Sequence, residues 1–377
     1  MSVRPRDAIE VVGAGPAGLA AAITLARAGR PVVVHEAQCE VGHRFGADFQ
    51  GLENWTTQRD VLVELRGLGI TTEFAALPCA SGTAYDAWDR PYPMRSAAPI
   101  FYMVERGPGE GSLDTALLAQ ARALGVEVRF GSRVERLAGE GILAVGPRAA
   151  DAIAVGYHFD TDMPDGFWTV LDERLAPGGY AYLLVMSGRG TVKSCMFRDF
   201  KEQHACAART VERFERLVGL RMRNARLHGG VGNIRLPAVA VSGGHPVSGE
   251  QAGFQDALAG FGMRYAIQSG VLAARALLGG APYERAWRDR LEPGVESSLV
   301  NRAIYGALGN RGYRWLLRSQ AWSGDSRRFL GWLYGPARVR RLLVPWARSR
   351  YESARHDVSC ERAACACVWC RCGPDGA

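Results

Sequence analysis

The sequence predicts an α/β protein with a nucleotide-binding parallel sheet, an inserted antiparallel sheet and a C-terminal helical region. Three observations carry that expectation. A strand, a glycine-rich turn, a helix and a second strand follow one another within the first forty residues. Four β-like runs in 151–200 are separated by Pro, Gly and Asp turn signals. Beyond about residue 281 the chain reads as helical, with Arg and Trp interleaved.

The N-terminal unit is the most specific. Ala8 to Val12 is an apolar run suited to a buried parallel strand, and Gly13, Gly15 and Gly18 then spell G-x-G-x-x-G, with Ala14, Pro16 and Ala17 between them. Gly13 permits the tight turn, Gly15 lets the main chain approach a pyrophosphate, and Gly18 lets the helix lie close to the strand. Leu19 to Ala28 is the helix, Gly29 stands where a C-cap belongs, and Pro31 to His35 is the second strand. The helix start offers free N–H groups to phosphates. Glu36 ends the second strand, where a carboxylate accepts from a ribose 2′-hydroxyl and repels a 2′-phosphate.

Such an N-terminal unit, with no second G-x-G-x-x-G opening a comparable unit, resembles the FAD enzymes of the glutathione-reductase-like class. The resemblance implies FAD, and it implies that the segment after the second strand runs over the cofactor. Ala37 would then follow the ribose acid, Arg44 would approach the pyrophosphate, and a backbone group near Val134 would meet the adenine.

Further along, 52–66 reads as a helix and 70–105 as short β-like runs that begin a substrate domain. Leu113 to Leu124 reads as a helix ended by Gly125. Val126 to Phe130 reads as a strand, Val134 as the start of another, and 142–145 as a strand returning to the nucleotide domain. Residues 203–219 read as an amphipathic helix. Within 247–278, Gly249 and Glu250 form a Gly-acid pair suited to ribityl or ribose hydroxyls. A helix from Gly262 and Met263 to Leu278 can aim its N–H groups at the flavin N1–C2=O edge and stabilise reduced flavin.

Gly13 to Gly18 with Glu36, the Gly249-Glu250-Gln251-Ala252-Gly253 stretch and Gly260-Phe261-Gly262-Met263-Arg264-Tyr265 together resemble the geranylgeranyl reductase and FixC-like FAD oxidoreductases, of the p-hydroxybenzoate hydroxylase-like fold group. Glu250 stands where that family usually has Asp. The Pro177-Gly178-Gly179-Tyr180-Ala181-Tyr182 stretch resembles the family's lipid-cavity segment, with Tyr182 in place of Trp, and implies that Tyr180 and Tyr182 line the substrate cavity. His43-Arg44-Phe45-Gly46 holds no counterpart of the family's Cys-Gly-Gly signature.

The expected architecture is therefore a Rossmann-type FAD-binding domain in three pieces (1–72, 106–150 and 236–280). An antiparallel-sheet substrate domain is inserted at 73–105 and 151–235, a C-terminal helical region spans 281–355, and a disordered Cys-rich tail spans 356–377. The resemblance implies an FAD-dependent oxidoreductase acting on a small hydrophobic, isoprenoid-like substrate. NAD(P)H or a redox partner protein would be the external donor. Two alternatives share the architecture: an aromatic or polyketide hydroxylase, and a non-redox flavoprotein or prenyl-binding protein. No catalytic residue is assigned. His158, His204, His228 and His245 are isolated in sequence, and His245 comes nearest to the Gly249-Glu250 pair.

Composition fits this reading. The 377 residues are 47% hydrophobic and 22% charged, as in a globular protein. With no signal-peptide pattern and no apolar run of the roughly 20 residues that span a bilayer, a cytoplasmic protein is expected. Formal net charge is +8, and 311–350 alone carries ten Arg against the single acid Asp325, beside Trp315, Trp322, Trp332 and Trp346. That segment reads as helices closing the cavity, or as a peripheral membrane contact. No nucleic-acid-binding module is visible. Cys365, Cys367, Cys370 and Cys372 are spaced like metal thiolates, but little apolar sequence surrounds them and no metal is expected.

Overall fold

A computed structural model describes residues 8–147, 150–234, 236–335 and 338–350. The Cys-rich stretch lies outside them. In chain order the elements begin with β1 (Ile9–Val12), α1 (Pro16–Arg27), β2 (Val32–His35), β3 (Asp48–Glu53), α2 (Val61–Gly67) and β4 (Ala76–Cys79). Then come β5 (Ser81–Asp86), β6 (Pro91–Arg95), β7 (Phe101–Arg106), α3 (Leu113–Ala123), β8 (Glu127–Arg129) and β9 (Gly141–Leu143). The second half holds β10 (Ala152–Asp160), β11 (Gly166–Leu171), β12 (Tyr180–Met186), β13 (Arg189–Met196), α4 (Gln203–Val218) and β14 (Arg223–Gly232). Five helices follow: α5 (Met263–Leu277), α6 (Tyr283–Arg290), α7 (Glu292–Trp322), α8 (Ser326–Tyr334) and α9 (Arg338–Arg350).

The parallel sheet runs β8-β2-β1-β9, with β1 paired to both β2 and β9. Its apolar strand residues Ile9, Val11, Val32, Val34 and Ile142 are buried. Helix α1 is rich in Ala on its buried faces, and α5 lies directly on it. A Cβ added to Gly270 of α5 would meet the carbonyl oxygen of Ala17 at 2.0 Å, so only glycine admits this approach. The N-terminal reading therefore holds nearly residue for residue.

The second large sheet has seven strands in the order β14-β10-β13-β12-β11-β5-β6, antiparallel except where β11 meets β5. A three-stranded antiparallel sheet, β3-β7-β4, joins the two halves. The helical region is helical as expected. Its long α7 is kinked at Gly309, whose φ of 58° and ψ of −174° leave the helical region.

Two local expectations are corrected. The helix expected over 52–66 divides: 48–53 form β3 against β7, and α2 starts only after Asp60, whose carboxylate accepts from Leu62 N at 2.9 Å. Phe49 and Leu52 lie on opposite faces of this strand and are buried in different apolar clusters. Val134 starts no strand either. It lies in a loop that begins where Ser132 N donates to the Glu36 carbonyl at 2.8 Å.

Candidate functional site

The parallel sheet, the seven-stranded sheet and the helical region enclose one continuous cavity of about 1270 Å³. That exceeds the ~300–1,000 Å³ of ordinary ligand clefts. One end is polar and built from main chain; the other is apolar.

At the polar end β1 runs into the glycine turn. Gly13 has a φ of 106°, and a Cβ there would meet the Ala144 carbonyl oxygen at 2.2 Å, while one on Gly18 would meet the Gly13 oxygen at 1.8 Å. These two glycines are required by packing. Gly15 differs: a Cβ there would meet nothing within 4 Å, because the residue faces the cavity. Gly15 is also the N-cap of α1 and offers no side-chain cap. The first N–H groups of α1 thus open into the cavity beside Ala14, Pro16 and Ala17. Helix α5 begins the same way, with Gly262 as an uncapped N-cap and Gly262 and Met263 in the cavity wall. Since Gly270 of α5 rests on Ala17, the two helix starts are separated by some 10 Å along α5.

The predicted acids occupy this end but are already engaged. Glu36 accepts from Ala14 N at 2.8 Å and from Gln38 N at 2.9 Å, so it clamps the glycine turn to the end of β2. Arg44 and Glu250 are brought together, with Nη2 and Oε2 at 2.7 Å. The other Glu250 oxygen accepts from Asn233 N at 3.1 Å. Each carboxylate oxygen keeps a lone pair for a ligand hydroxyl. Ala37, Val134 and Gly249 also line the cavity, whereas His245 does not.

At the other end Phe49, Phe101, Phe167, Leu184 and Phe261 surround an apolar chamber, closed by Leu316 and Leu317 of α7 and Leu330 and Leu333 of α8. Tyr180 and Tyr182 stand on its floor, their ring centroids 5.8 Å apart. The Tyr180 hydroxyl donates to the Ala259 carbonyl at 2.5 Å, and burial pushes both phenols up. Arg302, fully buried, donates to the carbonyls of Leu258 and Gly178 and so ties the loop before α5 to this floor.

Between the two ends lies a cluster that the sequence reading missed. Lys193 Nζ is 2.7 Å from Asp48 Oδ2 and 3.0 Å from His228 Nδ1, and His158 Nε2 is 3.1 Å from Asp48 Oδ1. The two imidazoles stack with centroids 4.3 Å apart. Asp48, Lys193 and His228 line the cavity. Burial alone would raise the Asp48 carboxyl, but Lys193 and His158 overcome it and hold Asp48 well below the usual carboxylate range. Burial lowers Lys193, with Asp48 opposing. Burial, then the Lys193 charge, pushes His228 down to about 4. His228 is therefore neutral at pH 7, accepting at Nδ1 and donating from Nε2 to the Arg44 carbonyl at 2.9 Å. The available signal was Lys193 itself, one of only two lysines among 46 basic residues, set in a strand whose residues from Gly190 to Met196 are all buried.

A family model described as an NAD(P)-binding Rossmann-like domain matches residues 11–48. No curated protein matches the sequence. Several solved structures share the fold. A geranylgeranyl bacteriochlorophyll reductase-like protein from Thermoplasma acidophilum superposes with a TM-score of 0.68 at 17% identity, covering 91% of this chain and 98% of that one. A flavoprotein/dehydrogenase from Cytophaga hutchinsonii gives 0.63 at 14% identity, over 92% and 100% of the two chains. The p-nitrophenol 4-monooxygenase of Pseudomonas putida gives 0.57 at 15%, over 86% and 98%. The fold expected from the sequence is thus the observed one, and it hosts more than one chemistry.

Proposed function

We propose that the chain is an FAD-dependent oxidoreductase that acts on a hydrophobic, isoprenoid-like substrate. The observation that carries the reading is the pair of uncapped helix starts, at Gly15 and Gly262, opening into one cavity that continues into an apolar chamber. Their spacing of some 10 Å suits a ligand with a diphosphate at one end and an electron-accepting ring at the other. When bound, FAD would supply two-electron chemistry between an external donor, NAD(P)H or a redox protein, and the substrate.

The chain's own residues divide the work. The N–H groups at Gly15 and Ala17 would hold the diphosphate, and Glu36 and Glu250 would accept from ribose and ribityl hydroxyls. The α5 start would stabilise negative charge on the ring. Tyr180, Tyr182 and the surrounding Phe side chains exclude water from the reacting end. The names of the structural neighbours include both a reductase-like protein and a monooxygenase; the apolar lining of the chamber favours a substrate with little polarity.

Titration of purified chain, stripped of any bound flavin, with FAD tests the reading. Quenching of flavin fluorescence at one equivalent is expected, with binding at least about tenfold weaker in Gly15→Ala. A chain that is folded by circular dichroism and takes up no FAD would overturn it.

A further inference from the structure

We propose that the outer face of α7 and α8 docks on an anionic lipid bilayer, and that the substrate reaches the chamber from that surface. The second half of α7 has two faces. Tyr313, Leu317 and Gln320 are buried toward the sheet, while Arg311, Trp315, Arg318 and Trp322 are exposed at spacings of four, three and four. That spacing is one helical stripe. Trp322 is 96% exposed and Trp315 65%. Helix α8 repeats the pattern in one turn: Arg328 and Trp332 point outward, with Trp332 69% exposed, while Leu330 and Leu333 line the chamber. A Trp that is this exposed carries a cost in water. Alternated with cations, it fits the interface of a bilayer, where the indole sits at headgroup level and the guanidinium meets phosphate.

Charge selects the occupant. Among the described residues Arg311, Arg318 and Arg328 pair with no carboxylate, and Asp325 is the single acid between residues 311 and 350. Asp325 is turned inward, accepting from Arg328 N and from the Ser96 hydroxyl. An anionic surface neutralises the stripe. Contact is peripheral, because no helix of the described residues is long and apolar enough to cross a membrane.

Position gives the docking its purpose. The helices that carry the stripe are the helices that close the apolar chamber, so the two are separated by one helix layer, about 10 Å. This part of the inference rests on the reading that the chamber takes a hydrophobic substrate; the docking itself does not.

The test is cosedimentation of the full-length, FAD-loaded chain with phosphatidylcholine vesicles, with and without phosphatidylglycerol. Binding to the phosphatidylglycerol vesicles is expected, at least about tenfold tighter than to phosphatidylcholine alone and weakened by salt. The combined Trp315→Ser, Trp322→Ser, Trp332→Ser variant should lose it. The Arg311→Gln, Arg318→Gln, Arg328→Gln variant should lose the lipid discrimination. Both sets of side chains are exposed, so flavin content should stay at the wild-type level and report intact folding. Absence of vesicle binding by the wild type, or equal binding by the Trp variant, overturns the docking while leaving the flavin reading intact. Sedimentation velocity showing a Trp-dependent dimer that does not bind vesicles also overturns it, in favour of a second copy of the chain. A chain that binds vesicles but no FAD would overturn the flavin reading instead.

Discussion

Lys193 Nζ lies 3.0 Å from His228 Nδ1, and the two side chains meet across Gly156 on the strand between them. A Cβ on Gly156 would lie 2.8 Å from the Lys193 Cα and 1.9 Å from the Val192 carbonyl oxygen. The glycine is thus part of the cluster's construction. Lys193→Met removes a cation beside His228, so the His228 pKa should rise from about 4 toward its ordinary 6.5, read from histidine C–H shifts in NMR titration. The same change leaves Asp48 buried without its main partner and should cost about 3–5 kcal/mol. Adding Asp48→Asn should recover most of that loss in denaturant unfolding.

The depressed His228 also gives the fold a pH dependence. The folded chain holds this imidazole neutral, so the stabilisation is present above pH 6.5 and is lost as pH falls through about 4. Wild type should therefore lose more stability on acidification than His228→Gln, measured by thermal unfolding across that window. Comparing the two proteins cancels Asp256, which works the other way. Burial raises its pKa from 3.8 to about 6, so its contribution is present below 3.8 and lost as pH rises through 6.

Two neighbouring glycines should fail differently. Gly18→Ala forces a methyl onto the Gly13 carbonyl and should cost about 3 kcal/mol or more. Gly15→Ala meets no protein atom and should leave the unfolding midpoint within about 1 kcal/mol of wild type, while weakening FAD at least about tenfold. Equal flavin affinity in Gly15→Ala would contradict the placement of the diphosphate.

Glu36→Ala deprives two main-chain donors, Ala14 N and Gln38 N, of their acceptor. A stability loss of about 1–2 kcal/mol is expected, together with weaker FAD binding. Calorimetric titration of the variant separates the two effects.

How legible the molecule was depends on how local each feature is. The β1-α1-β2 unit could be read because Gly13, Gly15, Gly18 and Glu36 impose it within thirty residues. The strands β10 to β13 announced themselves through turn residues. The helix expected over 52–66 misled because Leu52, Trp55, Val61, Leu62 and Leu65 keep helical spacing, while Asp60 starts a new element in their midst. The central cluster was out of reach because His158, Lys193 and His228 sit on three strands that meet through register, and Asp48 reaches them from β3 in a different sheet. Arg44 and Glu250 were both legible as site residues, but their mutual ion pair spans 206 positions and was not.

The most direct measurement is an anaerobic visible-absorbance experiment on the FAD-incubated, gel-filtered chain. The account predicts a retained flavin spectrum that bleaches on reduction and returns when an isoprenoid lipid is added without oxygen. A gel-filtered chain without flavin absorbance would contradict the cofactor assignment. A reduced spectrum that no isoprenoid restores would contradict the substrate assignment.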